Sequence, residues 1–220
     1  MLLNKLLSSE VPVISGSDDM EYIKSLFFAS ELKQLPVVES GRYLGLLELE
    51  ELQEHEDDPV EMNPHLYEHF RPAISILAHP FEAIRVLHQH ELSVLPVLFE
   101  DGEYAGCVTK DTLLKYLIDS ISTEVSGGII VLEMDTRDYS LAQIARICEN
   151  EQVMILGVHA VTNPGTAKLE VTIKTNSLDL AGVVQALERF EYTVMDTFGD
   201  RKIENDIMDR YKLLMNYLNM

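Results

Sequence analysis

The strongest constraint on this chain is an internal repeat that occupies its first half. Residues 32–49 read LKQLPVVESGRYLGLLEL, and residues 92–110 read LSVLPVLFEDGEYAGCVTK. Both copies contain Leu-x-x-Leu-Pro-Val, a polar turn, an aromatic residue, and then glycine with two apolar residues. Pro36 therefore corresponds to Pro96, and Gly45 corresponds to Gly106. Because repeated sequence of this kind builds repeated supersecondary units, we expect the two copies to share one fold.

Each copy predicts the order helix, strand, tight turn, strand, helix. Before each copy, apolar residues recur at helical spacing: Ile23, Leu26 and Phe27 in the first, and Ala83, Val86 and Leu87 in the second. The hairpin-turn signals are Ser40-Gly41 and Asp101-Gly102. The predicted strands are residues 36–38 with 44–47, and residues 96–98 with 105–108. The second helices are predicted at about residues 49–53 and 111–121.

This repeated pattern resembles the CBS family over about residues 1–122. The resemblance implies CBS repeats at residues 1–53 and 73–122, packed about a pseudo-twofold axis and joined by an acidic connector at residues 54–72. In that family, CBS pairs often dimerise into a flat disc. Their clefts commonly bind adenosine compounds such as AMP, ATP or S-adenosylmethionine, so these are the candidate ligands, and no cofactor is required.

In this family a nucleotide-binding motif follows the second strand. It reads Gly-x-x-Ser/Thr-x-x-Asp, where x is a variable or apolar residue. A hydroxyl at a helix N-terminus suits phosphate, and a carboxylate suits the ribose hydroxyls. The second copy reads GCVTKDT at residues 106–112, so Thr109 matches the hydroxyl position. Thr112 stands where aspartate is usual, and Asp111 lies one residue early. We expect any adenosine compound to bind here through Thr109 and Thr112.

The first copy departs further from this motif, because it reads GLLELEE at residues 45–51. Glu48 replaces the hydroxyl and would repel phosphate. Glu51 could still hold a ribose. A purely structural or dimerising CBS pair with degenerate ligand sites is therefore the alternative to a nucleotide sensor.

The second half of the chain predicts a ferredoxin-like unit at residues 127–199, after a glycine pair at 127–128. The predicted elements are a strand at 129–134, a helix at 140–150, strands at 153–162 and 169–175, a helix at 178–190 and a strand at 192–198. This βαββαβ order is typical of a split-βαβ sandwich. The whole chain is therefore predicted to belong to the mixed α/β (α+β) class, as a tandem CBS pair followed by this unit.

Residues 127–199 are similar to ACT domains, whose first helix usually begins with aspartate, a few residues, Pro-Gly and Leu-x-x-Ile. Asp135, Leu141 and Ile144 match, whereas Tyr139 and Ser140 stand where Pro-Gly is usual. The resemblance implies that Asp135, Tyr139 and Ser140 form the loop that meets an amino-acid effector in ligand-binding members. It also implies side-by-side dimers. A CBS pair followed by an ACT domain is the layout of bacterial acetoin-utilisation regulatory proteins, which this chain resembles up to its last 20 residues.

The C-terminal segment, residues 200–220, predicts an amphipathic helix. Its apolar stripe is Ile203, Ile207, Tyr211, Leu214 and Leu218. An isolated helix of about 20 residues is marginal in water, so this stripe must be covered. It either folds back on its own sheet or crosses to a second subunit.

The charge and composition of the chain argue against several classes of protein. The formal net charge of -20 disfavours nucleic-acid polymers and anionic membranes as partners. No apolar run is long enough to span a bilayer and no signal peptide is recognisable, so we expect a cytoplasmic protein. Neither a nucleophile–base pair nor a metal-ligand pattern is evident, His65 and His69 included, so we expect no enzymatic activity. A homodimer with an unidentified protein partner is the expected assembly.

Overall fold

Both copies of the repeat form the predicted elements, within the first of two compact units, Met1–Ile118 and Asp119–Met220. The computed structural model describes residues 3–54, 63–121 and 125–199. The first copy forms α1 (Met20–Ser30), β1 (Gln34–Glu39), β2 (Arg42–Glu48) and α2 (Leu49–Glu54). The second forms β3 (Ile74–Ser75), α4 (Pro80–Gln89), β4 (Val94–Leu98), β5 (Tyr104–Thr109) and α5 (Lys110–Ser120). The predicted helix at residues 200–220 lies outside the described residues, as do residues 55–62 of the acidic connector.

The strands pair as the turn signals predict. β1 and β2 form an antiparallel hairpin in which Pro36 faces Leu46, and β4 and β5 form the equivalent hairpin with Pro96 facing Cys107. Ser40 and Gly41 both take left-handed backbone angles, with φ values of 48° and 80°, as a tight hairpin turn requires. The two predicted hairpins are therefore confirmed, and the structure gives their register.

Each copy completes its core with a segment that precedes the other copy. Leu3 is fully buried in the second copy's apolar cluster, and the amide of Ser8 donates a 2.8 Å hydrogen bond to the carbonyl of Cys107. Reciprocally, the short helix α3 (His65–Glu68) buries Leu66 and Tyr67 in the first copy's cluster. Residues 63–72 were predicted to belong to a connector, but part of this segment belongs to the first copy's core.

A glycine lies in the second strand of each copy, where the segment that completes the core of that copy packs against the strand. A Cβ atom on Gly45 would overlap the carbonyl oxygen of Tyr67 and lie 2.7 Å from its carbonyl carbon. Gly106 lies against the Leu7 side chain at the equivalent position of β5, and its φ of 141° is one that other residues rarely adopt. Glycine is thus required at position 45 because the backbone of Tyr67 passes against β2, and at position 106 because of its backbone angle.

The two copies also meet where β1 and β4 begin. The Gln34 side-chain oxygen accepts hydrogen bonds from the amide and the hydroxyl of Ser93, at 2.8 and 2.6 Å. The Lys33 amide donates to the Ser93 hydroxyl at 3.3 Å. These bonds place Lys33, from the first copy, beside the second copy.

The second unit has the predicted βαββαβ order. Its elements are β6 (Ile129–Met134), α6 (Leu141–Asn150), β7 (Ile155–Thr162), β8 (Leu169–Thr175), α7 (Ala181–Arg189) and β9 (Thr193–Phe198). The strands form an antiparallel sheet in the order β7-β8-β6-β9, which is the ferredoxin-like order. Buried residues of the central strands β6 and β8, such as Leu132 and Val171, form one core with Ile144 of α6 and Leu187 of α7.

Candidate ligand site at the β5–α5 junction

The two threonines predicted to bind a ligand lie at the junction of β5 and α5 and bond to each other. The Thr112 amide donates to the Thr109 hydroxyl at 3.2 Å, and the Thr109 amide donates to the Thr112 hydroxyl at 3.0 Å. This reciprocal arrangement is that of a capping box, with threonine in the third helical position. It satisfies two backbone donors that the start of a helix would otherwise leave exposed.

The hydrogen bonds of this cap determine which side-chain groups of the junction are available to a ligand. The Thr112 hydroxyl also donates to the Thr109 carbonyl at 3.1 Å, so this hydroxyl is already used as donor and acceptor. Thr112, which stands where the family has aspartate, therefore stabilises the helix instead of presenting a carboxylate to a ribose. Lys110 and Asp111, the first two residues of α5, are exposed. A phosphate at this helix end would meet the lysine and the positive end of the helix dipole.

A groove with a volume of about 440 Å³ runs between α4 and α5 and includes Lys110 of this junction, whereas Thr109 and Thr112 are not among its lining residues. Its walls are mainly apolar, with Ile84 and Leu87 on one side and Leu113, Leu114 and Leu117 on the other. Its lining also includes Lys33 and Lys110, which carry positive charge, together with His88 and Glu91. A groove of this size, apolar but for a few charged groups, is typical of small-molecule sites.

Sequence reasoning missed Lys33 as a candidate, because it lies in the other copy and takes a variable position of the Leu-x-x-Leu-Pro-Val motif. Its position immediately before the Gln-Leu-Pro-Val stretch was the only available signal. The structure brings Lys33 to the groove through the contact between Lys33 and Ser93 described above.

The corresponding junction in the first copy is occupied by carboxylates that already have partners. Glu48 accepts a 3.1 Å hydrogen bond from the Gln34 side-chain amide. Glu51 lies 3.8 Å from the Nε2 atom of His69. Two acidic side chains at the start of α2 disfavour phosphate by like-charge repulsion, so the two junctions differ in the ligands that they can accept.

The candidate effector loop of the second unit, which contains Asp135, Tyr139 and Ser140, makes its contacts within that unit. Asp135 precedes a short 3-10 helix, Thr136–Asp138, and the Ser140 hydroxyl caps α6 by accepting from the Gln143 amide at 3.3 Å. Tyr139 packs against the core of this unit. The backbone at Tyr139 and Ser140 has negative φ values, -68° and -132°, so this loop does not need the glycine that is usual there.

The two cysteines have the properties of buried thiols. Burial raises the pKa of Cys107 to about 12 despite the Tyr104 hydroxyl 3.2 Å from its sulfur, and burial also raises the pKa of Cys148. Both thiols thus stay protonated at neutral pH, which argues against a nucleophilic role. Within residues 3–54, 63–121 and 125–199, no three His, Cys, Asp or Glu side chains cluster in a way that could hold a metal ion.

Comparisons with known proteins find matches to the first unit. Residues 71–119, which include the β5–α5 junction, match the CBS domain. A CBS domain pair/ACT domain protein from Thermotoga maritima superposes with a TM-score of 0.50 at 17% identity, covering 56% of this chain and 100% of that chain. At this identity the match shows a shared fold, which is that of a CBS pair.

Two further solved structures superpose with lower scores. A structure of CBSX2 in complex with AMP gives a TM-score of 0.48 at 15% identity, covering 54% of this chain and 96% of that chain. The cytosolic domain of the Mg²⁺ channel MgtE in complex with ATP gives a TM-score of 0.43 at 22% identity, covering 50% of this chain and 46% of that chain.

In the described part of the present chain, no helix is both long and apolar enough to cross a membrane.

Proposed function

We propose that this protein is a non-catalytic regulator whose CBS pair binds an adenosine compound at the β5–α5 junction. The observation that carries this proposal is that two lysines, Lys33 and Lys110, line one groove, and that Lys110 is the first residue of the capped helix α5. The two lysines and the helix dipole favour a phosphate or another anionic group. The apolar walls formed by α4 and α5 suit a base.

The same geometry predicts one ligand for each CBS pair rather than two. Glu48 and Glu51 make the first junction unfavourable for phosphate, whereas Lys110 favours it at the second. Because Thr112 replaces the ribose carboxylate, the site lacks a charge-assisted hydrogen bond that is worth roughly 1.5–3 kcal/mol. We therefore propose a modest affinity, with AMP and ATP favoured over S-adenosylmethionine.

The assembly belongs to the same proposal. We propose a cytoplasmic homodimer in which the ferredoxin-like unit acts as an ACT-like domain and reports to a protein partner, in the layout of acetoin-utilisation regulatory proteins. The negative charge of the chain argues against nucleic acid or anionic membranes as that partner.

The alternative is an interaction protein whose ligand sites are degenerate. It is favoured by the cap, which already uses the Thr112 hydroxyl, and by the exposed fraction of 55% at Leu114 on the groove wall. A second subunit could cover this apolar wall. In that case none of the three adenosine compounds would bind, so one titration separates the two functions.

The ligand proposal is tested by calorimetric titration of the full-length chain with AMP, ATP and S-adenosylmethionine. Lys110→Ala is expected to weaken ATP binding about tenfold, since it removes one charge-assisted contact. Lys115→Ala is the matched control, because it removes the same charge from an exposed position of α5 outside the groove. Affinity that is unchanged by Lys110→Ala, or equally weakened by both variants, would exclude this placement.

A further inference from the structure

A second surface of the CBS pair lies at the corner where β3 ends and the β4–β5 hairpin turns. Leu77 and Phe99 are exposed there, with exposed fractions of 54% and 46%. They line a shallow depression of about 610 Å³ together with Ile76, Glu100, Asp101 and Glu103. We call these six residues the Leu77–Phe99 patch.

The fold does not require apolar residues at this corner. In the first copy, the positions equivalent to Ile76, Leu77 and Phe99 are Gly16, Ser17 and Glu39. That corner closes with polar contacts, since the Ser15 hydroxyl donates to the Glu39 carboxylate at 2.7 Å. The exposed pair in the second copy is therefore not explained by the folding of the repeat, and exposed apolar surface of this kind commonly marks an interaction site.

Carboxylates surround the apolar pair. Glu100, Asp101 and Glu103 line the patch, and none of them forms an ion pair with another described residue. The hairpin that carries them is held by its own bonds, including one from the Glu103 amide to the Asp101 carboxylate at 3.1 Å. The three carboxylates are thus positioned around Leu77 and Phe99, and Arg42, which faces Glu103 in an isolated β-bridge, does not line the depression.

We infer that the Leu77–Phe99 patch docks a cationic amphipathic peptide segment of a partner protein. The apolar side chains of that segment would cover Leu77 and Phe99, while its Lys or Arg side chains pair with the three carboxylates. A second copy of this chain is a poor occupant, because its formal charge of -20 would oppose the acidic rim. This surface is separate from the β5–α5 junction, so the inference goes beyond the ligand proposal and can fail independently of it.

The test uses the full-length chain and a short fluorescent peptide with leucine and lysine at helical spacing. The double variant Leu77→Ser, Phe99→Glu gives the second copy the residues that the first copy has at the equivalent positions, Ser17 and Glu39. The first copy folds with these residues, so we expect the variant to fold as well. We expect it to bind the peptide about tenfold more weakly than the parent, since it removes both apolar contacts. Because Phe99→Glu adds a negative charge, attraction by charge alone would instead strengthen binding.

Phe28→Glu is the matched control, since Phe28 is 89% exposed on α1 and the substitution adds the same charge outside the patch. The control is expected to bind at least as tightly as the parent. A second variant, Glu100→Gln with Glu103→Gln, leaves the apolar pair intact and is expected to bind several-fold more weakly and with less dependence on salt. Equal binding by the parent and both patch variants would overturn the inference. The inference would also be overturned if a peptide with every lysine replaced by glutamine bound the parent protein as tightly as the original peptide does.

Discussion

Replacing Gly45 by alanine is expected to destabilise the CBS pair strongly. The new Cβ would overlap the Tyr67 carbonyl, which is backbone and cannot rotate away as a side chain could. Either β2 or α3 must move, and movement of α3 exposes the buried side chains of Leu66 and Tyr67. Burial of each such side chain is worth about 1.5–3 kcal/mol, so the first unit should lose about 3 kcal/mol or more of stability.

Urea unfolding followed by hydrogen–deuterium exchange measures this loss and assigns it to residues 1–118. Gly157→Ala is the control, since Gly157 lies in β7 with open space around a built Cβ and without a left-handed φ. That variant should stay within about 0.5 kcal/mol of the parent. If Gly45→Ala were equally harmless, the crossing of α3 over β2 would be wrong.

The second copy is expected not to fold on its own. A fragment of residues 63–121 lacks Leu3 and Leu46, both fully buried in the second copy's cluster, and it lacks the strand contact at Ser8. The smaller change Leu3→Ala in the full-length chain should cost about 2–5 kcal/mol, because it leaves a cavity in a closed core.

Circular dichroism of the fragment and chemical unfolding of the point variants test this interdependence. Leu114→Ala is the comparison for Leu3→Ala, because it removes the same atoms from a side chain that is 55% exposed. Its stability should change much less. A fragment 63–121 that unfolds cooperatively, or equal losses for the two leucine variants, would show that the second copy closes its own core.

The sequence predicts the repeat well because the repeat is a local pattern. Apolar residues at helical spacing and the Ser40-Gly41 turn signal are each read within a few residues, whereas the register of Pro36 against Leu46 comes from the structure. The ferredoxin-like order is predictable for the same reason. The Ser140 cap is a local feature of the same kind, since a capping serine acts within its own helical turn.

The parts that were missed depend on contacts between distant residues. The packing of α3 against Gly45 joins a connector segment to a strand, and residues 63–72 contain no pattern that predicts burial of Tyr67. Lys33 reaches the groove only because the two copies meet at Ser93. The motif comparison recognised that Thr112 replaces aspartate, but the reciprocal cap between Thr109 and Thr112 required the geometry of the β5–α5 junction.

Hydrogen–deuterium exchange of the full-length chain, measured with and without saturating ATP, locates the proposed ligand. A ligand held between Lys33 and the start of α5 should slow exchange in residues 109–117 and next to Lys33, with little change in the ferredoxin-like unit or at residues 45–51. Protection centred on residues 45–51, or no protection by ATP, AMP or S-adenosylmethionine at any concentration tested, would contradict the account.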